Sequence, residues 1–217
     1  MTWKISIKGQ VQGVGFRPFV WRAALDRNLK GRVANGLEGV LIRINGTERQ
    51  ALDFQQYILE NAPTQARITA HSVTPDEETF FDNFAIQDSL DAGLPLLHLT
   101  PDMALCDACR LETNDPSGRR YRYAFTTCTV CGPRYSILTG LPYDRPYTTM
   151  QMFAMCEDCR SEYEDPANRR YYAQTNSCPH CGIRLRFYNC KTGTAESVAE
   201  TGADNDRIIR QVVAAWQ

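Results

Sequence analysis

The sequence predicts an α+β protein: a β-α-β-β-α-β sandwich followed by two small modules that rest on cysteine rather than on an apolar core. Two observations carry this reading. Over roughly the first ninety residues, strand-like and helix-like apolar patterns follow one another in that order. Beyond them, the frame Cys106-x2-Cys109-x18-Cys128-x2-Cys131 recurs fifty positions later as Cys156-x2-Cys159-x18-Cys178-x2-Cys181.

The first strand is Lys4 to Gly9, where Ile5 and Ile7 alternate with Lys4, Ser6 and Lys8 before a glycine stops the run. A helix follows. Pro18 suits its first turn, Phe19, Val20, Ala23, Ala24 and Leu25 form its apolar stripe, and it ends near Asn28 to Gly31. Arg32 to Asn35 and Val40 to Ile44 read as two strands joined by Gly36-Leu37-Glu38-Gly39, a hairpin signal. The second helix carries Leu52, Phe54, Tyr57, Ile58 and Leu59, opens near Gly46-Thr47 and ends before Pro63. Ile68 to Val73 supplies a fourth strand and Phe80 to Ile86 a short extra one. This order is the split unit of a ferredoxin-like sandwich, with two helices on one face of an antiparallel sheet. Leu94-Pro95-Leu96-Leu97-His98 then reads as a linker.

The filler between the cysteines repeats too. Arg110, Glu112, Asp115-Pro116, Arg119-Arg120-Tyr121, Gly132 and Arg134 match Arg160, Glu162, Asp165-Pro166, Arg169-Arg170-Tyr171, Gly182 and Arg184. Two-residue gaps let paired thiolates reach one ion, and the long gap lets a second turn complete the tetrahedron, so eight of the nine cysteines predict two zinc sites. Cys106, Cys109, Cys128 and Cys131 on one ion and Cys156, Cys159, Cys178 and Cys181 on the other is the simplest wiring, because duplication copies a complete unit; interleaved wiring is the alternative. Four thiolates leave no open coordination position, which makes the sites structural. Metal must substitute there for an apolar core. A disulfide framework is the competing reading, but Met1-Thr2-Trp3-Lys4 runs straight into a strand without the apolar stretch of a secretory signal. Cys190 is left over, His180 reads as a knuckle residue facing solvent, and His71 and His98 have no partners that sequence can name.

Domain limits follow: residues 1–90, a first module over 91–140, a second over 141–190, and 191–217 as a linker and the start of a further domain. Within these, Leu141-Pro142-Tyr143-Asp144-Arg145-Pro146 is a stiff connector, Lys191 to Asn205 has linker composition, and Asp206 to Gln217 is an amphipathic helix with Ile208, Ile209, Val212, Val213 and Trp216 on one face. A greasy helix with nothing after it to cover it leads us to expect the front part of a longer polypeptide. No apolar run reaches membrane-spanning length, so a protein of the reducing cytosol is expected. The formal net charge of −1 removes any global electrostatic case for nucleic acid.

Chemistry concentrates at Gln10-Val11-Gln12-Gly13-Val14-Gly15-Phe16-Arg17, between the first strand and the first helix. Glycines let the backbone turn its N–H groups inward, the helix N-terminus adds positive potential, and Arg17 offers a planar fork to the same oxygens. That makes an anion cradle of Gln12, Gly13, Val14, Gly15, Phe16 and Arg17. A tight strand-to-helix turn also calls for glycine on steric grounds alone.

Val11-Gln12-Gly13-Val14-Gly15-Phe16-Arg17 resembles the acylphosphatase loop, and Gly31-Arg32-Val33-Ala34-Asn35 with Glu38-Gly39 resembles that family's second motif. An acylphosphatase-like domain running on through Pro18-Phe19-Val20 and followed by two four-cysteine repeats, with Tyr143-Asp144-Arg145-Pro146 between them, is similar to the N-terminal half of the HypF family, carbamoyltransferases of NiFe-hydrogenase maturation. The resemblance covers essentially the whole chain. It implies that Arg17 binds the phosphate of an acyl phosphate with the loop amides, and that Asn35 positions the attacking water. In this family the substrate is carbamoyl phosphate; the carbamate goes to an ATP-dependent domain that would follow, and then to the C-terminal cysteine of a HypE-like acceptor. Gly15 stands where many free-standing acylphosphatases have a bulkier residue, and HypF-like sequences share it. Asn35 before Gly36 is also ordinary turn chemistry.

The Arg-Arg-Tyr triplets raise a second reading, a nucleic-acid-binding zinc module with arginine on phosphate and tyrosine on bases. Against it, Cys106 to Arg186 holds no lysine and sets eleven arginines against nine acidic residues, a small surplus that two zinc-loaded thiolate sites reverse. Arginines paired with local carboxylates, in a module that acts as a scaffold, fit this balance better.

Overall fold

The computed structural model describes residues 1–89, 99–190 and 193–216. The Leu94 to His98 linker lies outside the described residues, His98 included. The chain forms two compact units: Met1–Asp102 with Pro133–Thr149, and Met103–Gly132 with Met150–Gln217.

In the first unit, β1 (Thr2–Gln10), β2 (Lys30–Gly36), β3 (Gly39–Asn45), β4 (Arg67–Asp76) and β5 (Phe84–Ile86) form one sheet in the order β4-β1-β3-β2-β5. The first four are antiparallel, as the split βαββαβ order requires. The extra strand joins the edge in parallel beside β2, with Gly31 opposite Phe84. Helices α1 (Phe16–Leu25) and α2 (Glu48–Asn61) complete the unit. Burial follows the alternation: Ile5 and Ile7 in β1 and Ile42 and Ile44 in β3 are fully buried with Val20 of α1 and Ile58 of α2, and their neighbours along the strands are partly exposed. β4 is largely exposed, as its edge position allows. α2 begins with a reciprocal cap. The Thr47 hydroxyl accepts from the Gln50 N–H, and the Gln50 side chain accepts from the Thr47 N–H at 2.8 Å.

The second unit has little regular structure. Helices α3 (Asp107–Asn114) and α4 (Glu157–Glu164) each open directly after the first cysteine of a repeat. Each repeat then turns at its Asp-Pro pair, where the side chains of Asp115 and Asp165 accept from the N–H groups two residues on. Positive φ recurs at matching places, Arg122 and Tyr172. After the repeats, β6 (Arg186–Asn189) pairs with β7 (Thr194–Val198), so a strand lies inside the stretch whose composition reads as linker. Backbone pairing satisfies such a strand without an apolar face. Helix α5 (Gly202–Trp216) starts earlier than the apolar pattern indicates. Its N-terminus is set by a Thr201–Asp204 cap, in which the Asp204 carboxylate accepts from the Thr201 N–H at 3.0 Å and Thr201 Oγ1 from the Asp204 N–H at 3.2 Å. Ile208 is buried, while Ile209, Val212, Val213 and Trp216 are exposed. No helix of the described residues is long and apolar enough to cross a membrane.

Candidate functional site

In the first unit, the predicted anion loop leaves β1 and enters α1 through two glycines with positive φ, 73° at both Gly13 and Gly15. Any side chain is strained there, and a Cβ on Gly13 would also meet the Arg134 side chain at 2.9 Å. The side chains of Val14 and Phe16 are buried in the apolar interior, so what these residues can offer an anion is backbone N–H. Gln12 has a bracing role: its Nε2 donates to the carbonyls of Gly36 and Gly39 at 2.7 and 2.9 Å, tying the loop to the β2–β3 turn. Arg17 and Asn35 are both buried, 6% and 2% exposed.

The sequence does not foretell what lies against them. Residues 141–146, which read as a connector, belong to the same compact unit. Arg17 Nη2 is 2.5 Å from Asp144 Oδ1, and the Ser89 hydroxyl donates to the other Asp144 oxygen. Asn35 Nδ2 donates to the Tyr143 carbonyl at 3.2 Å, and the Tyr143 N–H donates to Gln12 Oε1 at 2.9 Å. Arg17 and Asn35 thus touch consecutive residues of one segment, which brings the two predicted catalytic groups to one place. Because the Asn35 amide nitrogen must face a carbonyl, its oxygen is the other atom, and this buried Oδ1 has no protein donor. Tyr143 is packed beside Arg134, whose guanidinium lies 5.9 Å from the ring centre and whose Nε donates to the Gly13 carbonyl. A hint was present in the sequence: Tyr143-Asp144-Arg145-Pro146 is the charged segment between the cysteine frames that the duplication does not copy.

Residues 138–148 form a closed loop. Leu138 bridges Thr148, and the N–H of Thr139 donates to the Tyr147 carbonyl at 2.9 Å. Its approach is pinned by Asp102, whose carboxylate accepts the N–H groups of Arg134 and Ser136. The backbone N–H of Arg134, more than burial opposes it, holds that carboxyl below its ordinary range.

In the second unit, the sulfurs of Cys106, Cys109, Cys128 and Cys131 gather in one cluster and those of Cys156, Cys159, Cys178 and Cys181 in another, each within 4.8 Å. Each cluster draws on one repeat. Neighbouring sulfurs are 3.6 to 3.7 Å apart in both. A tetrahedron of thiolates about 2.3 Å from a central ion has edges of about 3.8 Å, whereas a disulfide needs about 2.05 Å. The donor sets therefore fit a tetrahedral metal. Cys190 stands apart and exposed.

The arginine pairs of the repeats are exchanged. Arg119 and Arg120 reach Glu162 at 2.7 and 2.6 Å, while Arg169 and Arg170 reach Glu112. Arg120 Nε donates to the Ser177 carbonyl at 2.8 Å, and Arg170 Nε to the equivalent Thr127 carbonyl at 2.9 Å. Arg119 also approaches the Cys159 sulfur at 3.4 Å and Arg169 the Cys109 sulfur at 2.9 Å. Cations thus lie beside the thiolates of the opposite repeat. Burial works to raise the Glu162 carboxyl, but hydrogen bonds from Arg120 and Arg119 hold it at about 2. The pairing with carboxylates expected of these arginines is present, and its shortest contacts run between the repeats; within them Arg120 also reaches Glu112 at 3.1 Å and Arg170 lies 3.8 Å from Glu162.

Comparison with known proteins agrees with both units. The acylphosphatase family model matches residues 3–86, and the HypF finger model matches 105–138 and 155–188. Carbamoyltransferase HypF of Rhodobacter capsulatus is 52% identical over 154 residues, covering 70% of this chain and 20% of that protein. An acylphosphatase of Cupriavidus necator is 40% identical over 80 residues, 36% of this chain and 86% of that enzyme. A crystal structure of full-length HypF in its phosphate- and nucleotide-bound form superposes with a TM-score of 0.78 at 41% identity, covering 88% of this chain and 26% of that one. The chain spans about a fifth of the length of the HypF relatives it matches.

Proposed function

The chain belongs to the HypF family, as its N-terminal region of an acylphosphatase domain and two HypF finger repeats, and from that membership we propose that its first unit hydrolyses an acyl phosphate, carbamoyl phosphate, to carbamate and phosphate. The observation that carries the reading is the buried Asn35 Oδ1, an acceptor without a protein donor, at the same place as Arg17.

Arg17 and the N–H groups of Gln12, Gly13, Val14, Gly15 and Phe16 hold the phosphoryl oxygens at the start of α1, where the helix dipole favours negative charge. Asn35 Oδ1 accepts a hydrogen bond from the attacking water and aims its oxygen at phosphorus. The water–phosphorus bond forms as the bond from phosphorus to the acyl oxygen breaks, carbamate leaves with the electron pair, and the water's proton ends on phosphate or solvent. Carbamate is a good leaving group, so positioning and charge stabilisation suffice, and no nucleophilic side chain enters.

The eight clustered cysteines hold two zinc ions as closed structural sites, which supply no reactive position. Carbamate passes to an ATP-dependent domain of the full-length protein and on to a HypE-like acceptor, within NiFe-hydrogenase maturation in the cytoplasm, where reducing conditions keep the thiols available to metal.

Phosphate release from carbamoyl phosphate tests the hydrolytic step. Arg17→Ala and Asn35→Ala are each expected to lower kcat/KM by roughly a hundredfold or more, with the thermal transition of the chain retained. Turnover that survives in both variants would remove the assignment.

A further inference from the structure

The pairing of Arg17 with Asp144, as distinct from Arg17 itself, has no role in the hydrolysis outlined above. The two side chains are 7% and 16% exposed, and Asp144 is fastened at both oxygens, by Arg17 and by Ser89. A carboxylate and a phosphoryl group ask the same thing of a guanidinium, two acceptor oxygens carrying negative charge. Two anions sharing one buried cation repel far more than an exposed pair does. A phosphoryl group therefore meets Arg17 most favourably once the carboxylate has gone.

We propose that Asp144 is a built-in substitute for the phosphoryl group on Arg17, and that anion binding exchanges with it and lifts the tip of the 138–148 loop. The inference rests on the reading of Arg17 as the phosphate-binding residue. The same movement has a second consequence. Tyr143, next in the chain, holds the Gln12 side chain through its N–H and the Asn35 amide through its carbonyl. Lifting the tip releases both, so arrival of the anion and release of Asn35 become one event. The loop can move as a unit, because it is closed at its base by the Leu138–Thr148 bridge and the Tyr147 carbonyl, and pinned before its base by Asp102. Asp144 thus lowers affinity for free phosphate and keeps the site shut until a phosphoryl ligand competes successfully.

Binding of inorganic phosphate to the chain, measured by calorimetry, tests this. Asp144→Asn keeps the shape and removes the charge, and is expected to tighten phosphate binding by about tenfold; Arg17→Ala abolishes binding in either background. Unchanged or weaker binding in Asp144→Asn overturns the proposal and makes Asp144 a group that positions Arg17. Hydrogen exchange on the unmodified chain is a second readout that needs no variant. Saturating phosphate should speed exchange of the tip amides of Tyr143, Asp144 and Arg145, and slower exchange there overturns the proposal. Tighter phosphate binding in Asp144→Asn without any turnover of carbamoyl phosphate keeps this inference and removes the hydrolytic reading. Turnover that depends on Arg17, with phosphate affinity unmoved by Asp144→Asn, does the reverse.

Discussion

The two units reach stability by opposite means. In the first, Ile5, Ile7, Ile42, Ile44 and Ile58 are removed from water beneath a hydrogen-bonded sheet. In the second, Cys109, Cys128 and Cys131 form a buried cluster, and the largest fully buried side chain of the described residues is Arg120. Apolar burial is additive and tolerant, since each methylene contributes about 0.8 kcal/mol with little regard to its exact partner. A core of sulfur, guanidinium and carboxylate depends on every partner being present, because removing one leaves a desolvated charge behind. The first unit should therefore lose stability by degrees and the second as a whole.

The largest expected effect separates them outright. Chelation, or Cys109→Ser, should unfold residues 103–132 and 150–217 while the amide spectrum of the sheet persists, since structural zinc supplies roughly 10 kcal/mol or more of folding energy in small domains. Elemental analysis should find two zinc ions per native chain. Because the arginines of each repeat hold the other repeat's glutamate, Cys109→Ser should leave clearly less than one ion rather than one. A clean single ion would mean that the repeats load independently.

Next in size is a pair of truncations, one in each unit. Arg120→Ala removes the cation that joins Glu162, Glu112, Asn176 and the Ser177 carbonyl, and should cost roughly 3–5 kcal/mol of the second unit's stability. Ile42→Ala should cost the first unit about 2–5 kcal/mol, through lost transfer energy and the cavity left behind. The contrast lies in the repair. Ile42→Val should recover most of the loss, whereas Arg120→Lys should recover little, because an ammonium cannot reproduce the fork. Denaturant melts followed separately in the two units check both.

The smallest effect is local. The Thr201 hydroxyl, the Glu200 N–H and Arg207 hold the Asp204 carboxyl at about 2, below the ordinary 3.8. A depressed carboxyl stabilises above its unfolded value and loses that contribution as pH falls through the folded one. The first turn of α5 should therefore fray between about pH 4 and 2, visible in its amide shifts, and Asp204→Asn should flatten the response.

Much of the first unit is legible because its signals are local. The Lys4–Gly9 alternation, the turn at Gly36–Gly39 and the Thr47 cap each involve residues within a few positions of one another, and each appears where expected. The cysteine pairs are legible for the same reason, since a two-residue gap brings two sulfurs together; that both pairs of one repeat share a cluster, rather than interleave, is shown by the structure. The paired arginines could be counted but not assigned, since equivalent glutamates stand in both repeats and sequence spacing does not say which copy each arginine reaches.

What the sequence by itself determined is therefore what is settled within a turn, a strand or a knuckle: the elements of the first unit, the glycine turn between β1 and α1, and the cysteine pairs. The tertiary structure alone decided that Asp144, 127 positions from Arg17, is its partner, and that Arg120 belongs with Glu162, 42 positions on. The physical reason is that charge pairs are specified by distance in space. A chain folded around one apolar core and two sulfur clusters brings together groups whose types were visible in the sequence and whose meeting was not.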